Sequence, residues 1–494
     1  SRYVGAERDK LASNDLPYIN VGSPDNQKGN GGGTEWAMQS VFGRLDYNYA
    51  SKYLLEITGR YDGSSRFSSH KRYAFFPSAA LGWRVSEEDF FKSCKSLEWI
   101  SNLKLKVSLG VLGNQEIGVY PYQTVYDLGL FYPFGNTLHQ GAAVTKSTDE
   151  NLSWESTRTW DAGFESSILN GALTLNVNYF SRTTYDILFA PGGSVSKVSG
   201  LKVSPINTGT LTNKGIEVEI GHQYVKGDFS YNLTGNFTYI DNRIKSLGVG
   251  DVKQLNGLVG SGNLFIGHPI DIYYGYKTDG VFTDQEDIKA WANQKKINPK
   301  SVPGDIRYKD LLGPEGKPDG VVDPNYDRTV LGSSIPKYTF SLSGGMGYKG
   351  IDFTIQLQGV AGVKGYLNNF AGYAFFQEGN IQRWQADNRF RPDQPDRYAK
   401  YPRLEAIPGT GTANTEVSDF WLRDASYLRI KNVQIGYTLP KQWLPQISSL
   451  RLYLSGDNLY TFNKYPKGWD PEINTGGAFY PILRTITFGL NFSL

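Results

Sequence analysis

Polar and apolar residues alternate with a period of two along almost the whole chain. In FSYNLTGNFTY, Phe229, Tyr231, Leu233, Phe237 and Tyr239 take one side of an extended backbone, and Ser230, Asn232, Thr234, Asn236 and Thr238 take the other. GALTLNVNY sets Leu173, Leu175, Val177 and Tyr179 against Thr174, Asn176 and Asn178. IDFTIQLQ sets Ile351, Phe353, Ile355 and Leu357 against Asp352, Thr354, Gln356 and Gln358. Successive side chains on a strand point to opposite faces, so the pattern predicts strands with one apolar face. It places them near 35–49, 52–62, 72–85, 102–112, 120–130, 154–168, 171–189, 208–224, 228–247, 269–282, 335–349, 350–363, 417–440, 448–462 and 481–494. Asn170-Gly171, Lys226-Gly227 and Lys349-Gly350 predict tight hairpins. Long loops rich in Gly, Asn and aromatics fall near 131–150, 248–268, 283–334 and 364–416, and one helix is expected at TDQEDIKAWANQ, 283–294. The last segment carries Ile486, Phe488, Leu490, Phe492 and Leu494 on one face, an apolar stripe where soluble domains usually fray into a polar tail.

Composition narrows what covers the apolar faces. No stretch approaches the ~18 apolar residues of a membrane-spanning helix, and mean hydropathy is −0.41. Membrane β-barrels, however, hide their lipid face in alternate positions. Tyr at 33, Phe at 26, Trp at 10 and Gly at 56 suit long strands with aromatic girdles. The opposite face carries full charges, among them Lys104, Lys106, Glu217 and Glu219, as a water-filled lumen would. Soluble β-sandwiches also alternate, so a secreted β-rich carbohydrate-binding or adhesin protein is the alternative. Strand length and the terminal stripe weigh against it. The net charge of +3 comes with no basic block, so nothing points to nucleic acid. The single Cys94 excludes an internal disulfide, and four His offer little for a zinc or triad site. The opening SRYVGAERDK has no charged start followed by an apolar core, so no signal peptide is expected there.

Candidate chemistry is sparse. In KDLLGPEGKPDGVVDPNYD, 309–327, Asp310, Asp319, Asp323 and Asp327 with Gly320 form a loose acidic loop of the kind that holds Ca2+ or Mg2+. The competing reading is a solvated turn. In loop 364–416, Tyr366, Tyr373, Phe375, Phe376 and Trp384 offer faces to a glycan or peptide, or else pack the loop against its neighbours. Glu87 and Glu88 in EEDFF point to opposite sides of a strand and suit better the first turn of a helix capped by Ser86. Gly29–Gly33 has no strand-helix context, and no G-x-S-x-G elbow or H-E-x-x-H pair occurs, so no enzyme is expected.

Several ordered stretches together resemble the SusC/RagA-type TonB-dependent transporters of the Bacteroidetes outer membrane. They are GRYDGSSRFSSHKRYAFFPSAALGWRVSEEDFF (59–91), KVSLGVLGNQEIGVYPY (106–122), NTGTLTNKGIEVEI (207–220), GDIRYKDLLGPEGKPDGVVDPNYDRTVLGSSIPKYTFSL (304–342), WLRDASYLRIKNVQIGYTLPKQWL (421–444) and LYLSGDNLYTFNKYPKGWDPE (452–472), followed by the terminal strand. The resemblance implies an all-β fold: a transmembrane antiparallel barrel, here partial, with about 14–16 strands of about 22. Residues 1–494 would be its C-terminal portion, lacking the family's signal peptide, plug and TonB-contacting segment. It further implies nutrient import across a Gram-negative outer membrane, a glycan or peptide ligand, a SusD-like surface lipoprotein and the TonB complex as partners, and contact with outer-membrane lipid. The family's terminal strand more often ends in Phe than in Leu494.

Overall fold

The computed structural model describes all residues except 1, 11–17, 20–21, 26, 190–199, 203, 249–257, 262, 407–411, 444–445, 447, 474–479 and 494. Much of the expected loop 248–268 and the final Leu494 lie outside the described residues.

Among the described residues, thirteen strands pair in one antiparallel sheet. In chain order they are β1 (Met38–Tyr49), β2 (Tyr53–Ser64), β3 (Tyr73–Arg84), β4 (Ile100–Asn114), β5 (Glu155–Ile168), β6 (Leu173–Phe189), β7 (Ile206–Lys226), β8 (Phe229–Ser246), β9 (Tyr338–Tyr348), β10 (Ile351–Ala361), β11 (Tyr427–Thr438), β12 (Ser449–Asn463) and β13 (Thr485–Ser493). Each pairs with its sequence neighbours, so the sheet is a simple up-and-down meander. Connections on one side are short: 50–52, 85–99, 169–172, 227–228, 349–350 and 439–448. Most on the other side are long, above all 115–154, 247–337 and 362–426. In outer-membrane barrels short turns face the periplasm and long loops the exterior, which orients this sheet.

Register aligns the apolar stripes across neighbouring strands. Phe164 faces Val177, Val177 faces Val218, Val218 faces Phe237, and Phe237 faces Phe340. Because the side-chain period is two, a slip of one residue would turn every polar side chain into lipid. Many of these apolar side chains, including Leu45, Ile57, Leu81, Ile220, Ile435 and Phe488, are exposed. A soluble sandwich would cover them. One expected hairpin has its turn at the named pair: Lys349 and Gly350 both have positive φ, at 46° and 83°, the pattern a two-residue type I′ turn requires. At the other two the turn differs: Lys226 stays in its strand and the connection is 227–228, and Asn170-Gly171 sits within the longer connection 169–172.

Two expected strands are not in this sheet. Segment 120–130 instead leads into a separate hairpin, Asp127–Phe134 with Thr137–Ala143. Segment 269–282 breaks into Ile272–Tyr276 and Thr278–Val281, which pair with Arg328–Ser333 and Ile306–Tyr308 outside the wall. The expected strand 417–440 is also two pieces. Asp424 Oδ1 accepts from the Ser426 N–H at 3.1 Å and its hydroxyl at 2.6 Å, and this side-chain turn separates Leu422–Asp424 from β11. The glycines at 29–33 form a strand, Lys28–Gly33, against Arg2–Glu7. The expected helix is shorter, α2 (Gln285–Ala290), capped by the Asp284 carboxylate accepting from the Asp287 N–H at 2.8 Å. Its predecessor, α1 (Asp89–Lys92), is capped in position by Glu88, and Ser86 sits in a preceding 3-10 turn instead of capping it.

Candidate functional site

The polar face of the sheet is a ladder of paired charges. Arg44 reaches Asp46 at 2.9 Å and Glu56 at 3.0 Å across β1 and β2. Glu165 takes Lys106 at 2.9 Å and Lys104 at 3.4 Å. Asn176 donates to Glu219 at 3.0 Å, and Arg451 donates to Asp352 at 2.8 Å. Asp46, Glu56, Lys106, Asp161 and Asn178 border a groove of about 530 Å³ that the apolar Leu54, Leu55, Leu81 and Val107 also line. Single exposed pairs of this kind contribute about 0–1 kcal/mol each. Their effect here is to keep both signs of charge paired and solvated along one wall.

Above this wall the long loops fold into a cap with its own core. Tyr276, Val281, Ile306, Tyr308, Leu367 and Trp421 are among its buried members. Three short strand pairs bring them together: Ile272–Tyr276 with Arg328–Ser333, Thr278–Val281 with Ile306–Tyr308, and Lys364–Tyr366 with Leu422–Asp424. Buried ions stitch the loops. The Arg307 guanidinium lies between Asp279 at 3.2 Å and Asp287 at 3.1 Å and stacks 3.7 Å from the Trp291 ring centre. Burial pushes its pKa down, against the opposing pull of Asp287. Asp305, fully buried, accepts from Arg403 at 2.5 Å and from Asn298 and Asn414 at 2.9 Å each. Arg429 on β11 ties the cap to the wall, donating to Thr461 at 2.9 Å, to Asp470 at 2.5 Å and to Glu472. Removing one partner of such a pair would strand a buried charge, which costs about 3–5 kcal/mol. Pattern reading missed these groups because Asp279, Asp305 and Arg307 look locally like ordinary loop charges; only long-range contacts bury them.

The five aromatics singled out from the sequence fall in or on this core. Tyr373 and Phe376 are inside it, Tyr373 standing edge-on to Trp421 at 5.2 Å. Trp384 packs edge-on to Tyr401 at 5.6 Å, and its Nε1 donates to Gln382 at 2.9 Å. Tyr366 stacks on Tyr273 at 5.6 Å. Phe375 alone of the five is exposed, at 37%. It stands at φ 55°, followed by Gln377 at 47° and Glu378 at 62°, a left-handed run that costs energy and is held by the buried Phe376 beside it. Burial pushes Tyr373 up to about 12 and raises the Glu416 carboxyl above its ordinary value.

The four acids of the 309–327 loop are engaged with backbone. Asp327 accepts from the N–H groups of Leu311 at 2.5 Å, Leu312 at 3.0 Å and Asp323 at 2.6 Å. Asp310 accepts from Gly320 at 2.6 Å, and Asp319 from Val321 at 3.0 Å. Asp323 accepts from Asn325 at 2.7 Å and pairs with Lys296, which holds its carboxyl below the usual range. Among the described residues no three carboxylate, His or Cys side chains gather as a metal site requires.

A meandering sheet with one lipid-type face, one charged lumen face and a cap of long loops defines the wall of an outer-membrane β-barrel. A family model described as TonB dependent receptor-like, beta-barrel, matches residues 2–459, and the chain belongs to that family. Such receptors reside in the outer membrane, and this wall with them. The chain is 32% identical over 477 residues to TonB-dependent receptor P26 of Formosa agariphila, covering 92% of this chain and 46% of the relative. It is 31% identical over 480 residues to TonB-dependent receptor SusC of Bacteroides thetaiotaomicron, covering 93% and 44%. Among solved structures, the RagAB peptide importer in its open-open state superposes with a TM-score of 0.76 at 23% identity, covering 98% of this chain and 50% of that one. The chain thus spans about half the length of the curated relatives it matches.

Proposed function

We propose that residues 1–494 are the C-terminal portion of an active importer, supplying part of the barrel wall and most of an outer cap for taking up glycan or peptide nutrients. The observation that carries this reading is the match to named TonB-dependent receptors along more than nine-tenths of the chain. The charged lumen ladder and the outer cap support it physically. In this reading TonB acts through the part of the protein upstream of this chain, and a SusD-like lipoprotein closes over the cap. Of the five aromatics singled out from the sequence, Phe375 keeps the most open face for ligand or lid, beside the exposed Phe370. Wild-type cells should take up a labelled oligosaccharide or peptide pool, and a deletion strain should not. Uptake should also stop when TonB is removed. Uptake that survives loss of TonB would overturn the energised mechanism; binding without any uptake would favour an adhesin.

A further inference from the structure

The outward face of β5–β8 changes character abruptly as it rises. Counting upward, its cross-strand rows are Ile168, Leu173, His222, Leu233; then Ser166, Leu175, Ile220, Gly235; then Phe164, Val177, Val218, Phe237; then Ala162, Tyr179, Ile216, Tyr239. The next row is Trp160, Ser181, Lys214, Asp241, and the one above it Arg158, Thr183, Thr212, Arg243. Same-face rows are about 6.6 Å apart along a strand. Five steps make about 33 Å, or about 25 Å of height at the usual tilt, which is the height of a barrel's apolar band. Arg158, Lys214 and Arg243 therefore stand at the outer rim of that band, on the side of the long loops. Lys245, also exposed, lies beyond them at the irregularity where the register against β7 shifts between Leu211 and Thr210.

Only one acid, Asp241, shares these two rows, and it pairs with Arg243 at 2.8 Å. Arg158 is exposed and holds its guanidinium 5.9 Å from the ring centre of Tyr185. Lys214 is exposed and has no carboxylate within ion-pair distance among the described residues. Ser181 and Thr212, which stand between the cations in register, are themselves buried. Three positive side chains against one negative, level with Trp160 and above Tyr179 and Tyr239, are out of place on a surface that meets acyl chains, unless anionic groups sit at that level.

We propose that this patch binds the phosphate groups of a phosphorylated lipid in the outer leaflet, with the lipid's acyl chains lying on the apolar rows beneath. The assignment rests on the outer-membrane placement of the wall. Lumen solutes cannot reach it, because the same register that sends Lys214 outward sends Glu217 and Glu219 inward. The apolar rows below the cations favour a lipid over a free anion, since only a lipid occupies both.

The test uses the assembled full-length protein, solubilised in non-ionic detergent. It is titrated with a glycolipid bearing two phosphate monoesters, with the same glycolipid stripped of phosphate, and with inorganic phosphate. Each cation near a membrane surface contributes about fivefold in affinity at low salt. The triple variant Arg158→Gln, Lys214→Gln, Arg243→Gln should lose about a hundredfold for the phosphorylated lipid. Lys104→Gln with Lys106→Gln, on the lumen face, should lose nothing. Wild-type affinity should fall steeply with added salt, a reading that stands even if the triple variant misfolds. Equal binding of the stripped lipid, tight binding of inorganic phosphate alone, or salt-independent affinity would each overturn the proposal. A failure of the membrane reading itself would show separately, as a protein that stays monodisperse in plain buffer.

Discussion

Glu88 shows how one side chain can fasten the periplasmic end of the wall. Its carboxylate accepts from the Tyr53 hydroxyl at 2.7 Å, the Trp83 indole at 3.0 Å and Lys52 at 3.1 Å, joining turn 50–52 to turn 85–99. These donors hold its pKa down, from the ordinary 4.5 to about 2. The folded state thus binds this proton less readily than the unfolded one. The stabilisation is complete above pH 4.5 and fades as pH falls toward 2. Glu88→Gln should lower Tm at pH 6, and the gap from wild type should close by pH 2; a pH-independent gap in a thermal scan would count against this. Asp327 does a similar service in the cap. Asp327→Ala would leave one buried and two half-buried N–H donors without their acceptor and should cost about 2–3 kcal/mol locally. Limited proteolysis should then cut within 305–330, while a chelator should leave wild-type cleavage unchanged. Faster cleavage of wild type with chelator would mean that a cation helps hold the loop.

At the level of single elements, the wall strands were legible because their apolar and polar faces meet different solvents. Val177 and Asn176 are neighbours, yet Val177 faces Val218 and Phe164 toward lipid while Asn176 donates to Glu219 in the lumen. Val177→Arg lies in the middle row of the band and should cost about 2–4 kcal/mol of assembly. Asn176→Arg, which keeps Glu219 within reach as a partner, should be mild. Heat-modifiable migration on gels should separate the two; equal effects would mean that the faces are misassigned. The cap strands were not legible for the converse reason. Tyr274, Gly275 and Tyr276 are all buried, so Ile272–Tyr276 has no wet face to mark its period, and its partner Arg328–Ser333 lies far along the chain. The same holds for the acidic loop. Spacing suggested ligands, but whether Asp310 and Asp327 turn to a cation or to backbone N–H groups depends on a fold that spacing does not encode.

At the scale of the molecule, the number of strands settles how the wall can close. Among the described residues β1 pairs only with β2, and β13 only with β12. Both edge strands run toward the short-turn side, because thirteen antiparallel strands begin and end in the same direction. Direct closure of β13 on β1 would therefore be a parallel join, against the antiparallel pairing everywhere else. An antiparallel seam needs an odd number of further strands, and a barrel of about 22 would need about nine. Left unmade, the two edges expose rows of backbone N–H and C=O groups to hydrocarbon at several kcal/mol per group. This chain expressed alone should then fail to insert as a closed, heat-modifiable barrel and should not support uptake. Supplying the upstream portion found in its longer relatives, in the same chain or as a second fragment, should restore both. Conducting, heat-modifiable channels from the isolated chain in a planar bilayer would show instead that β1 and β13 do join, and that the wall is a smaller barrel sealed by one parallel pair.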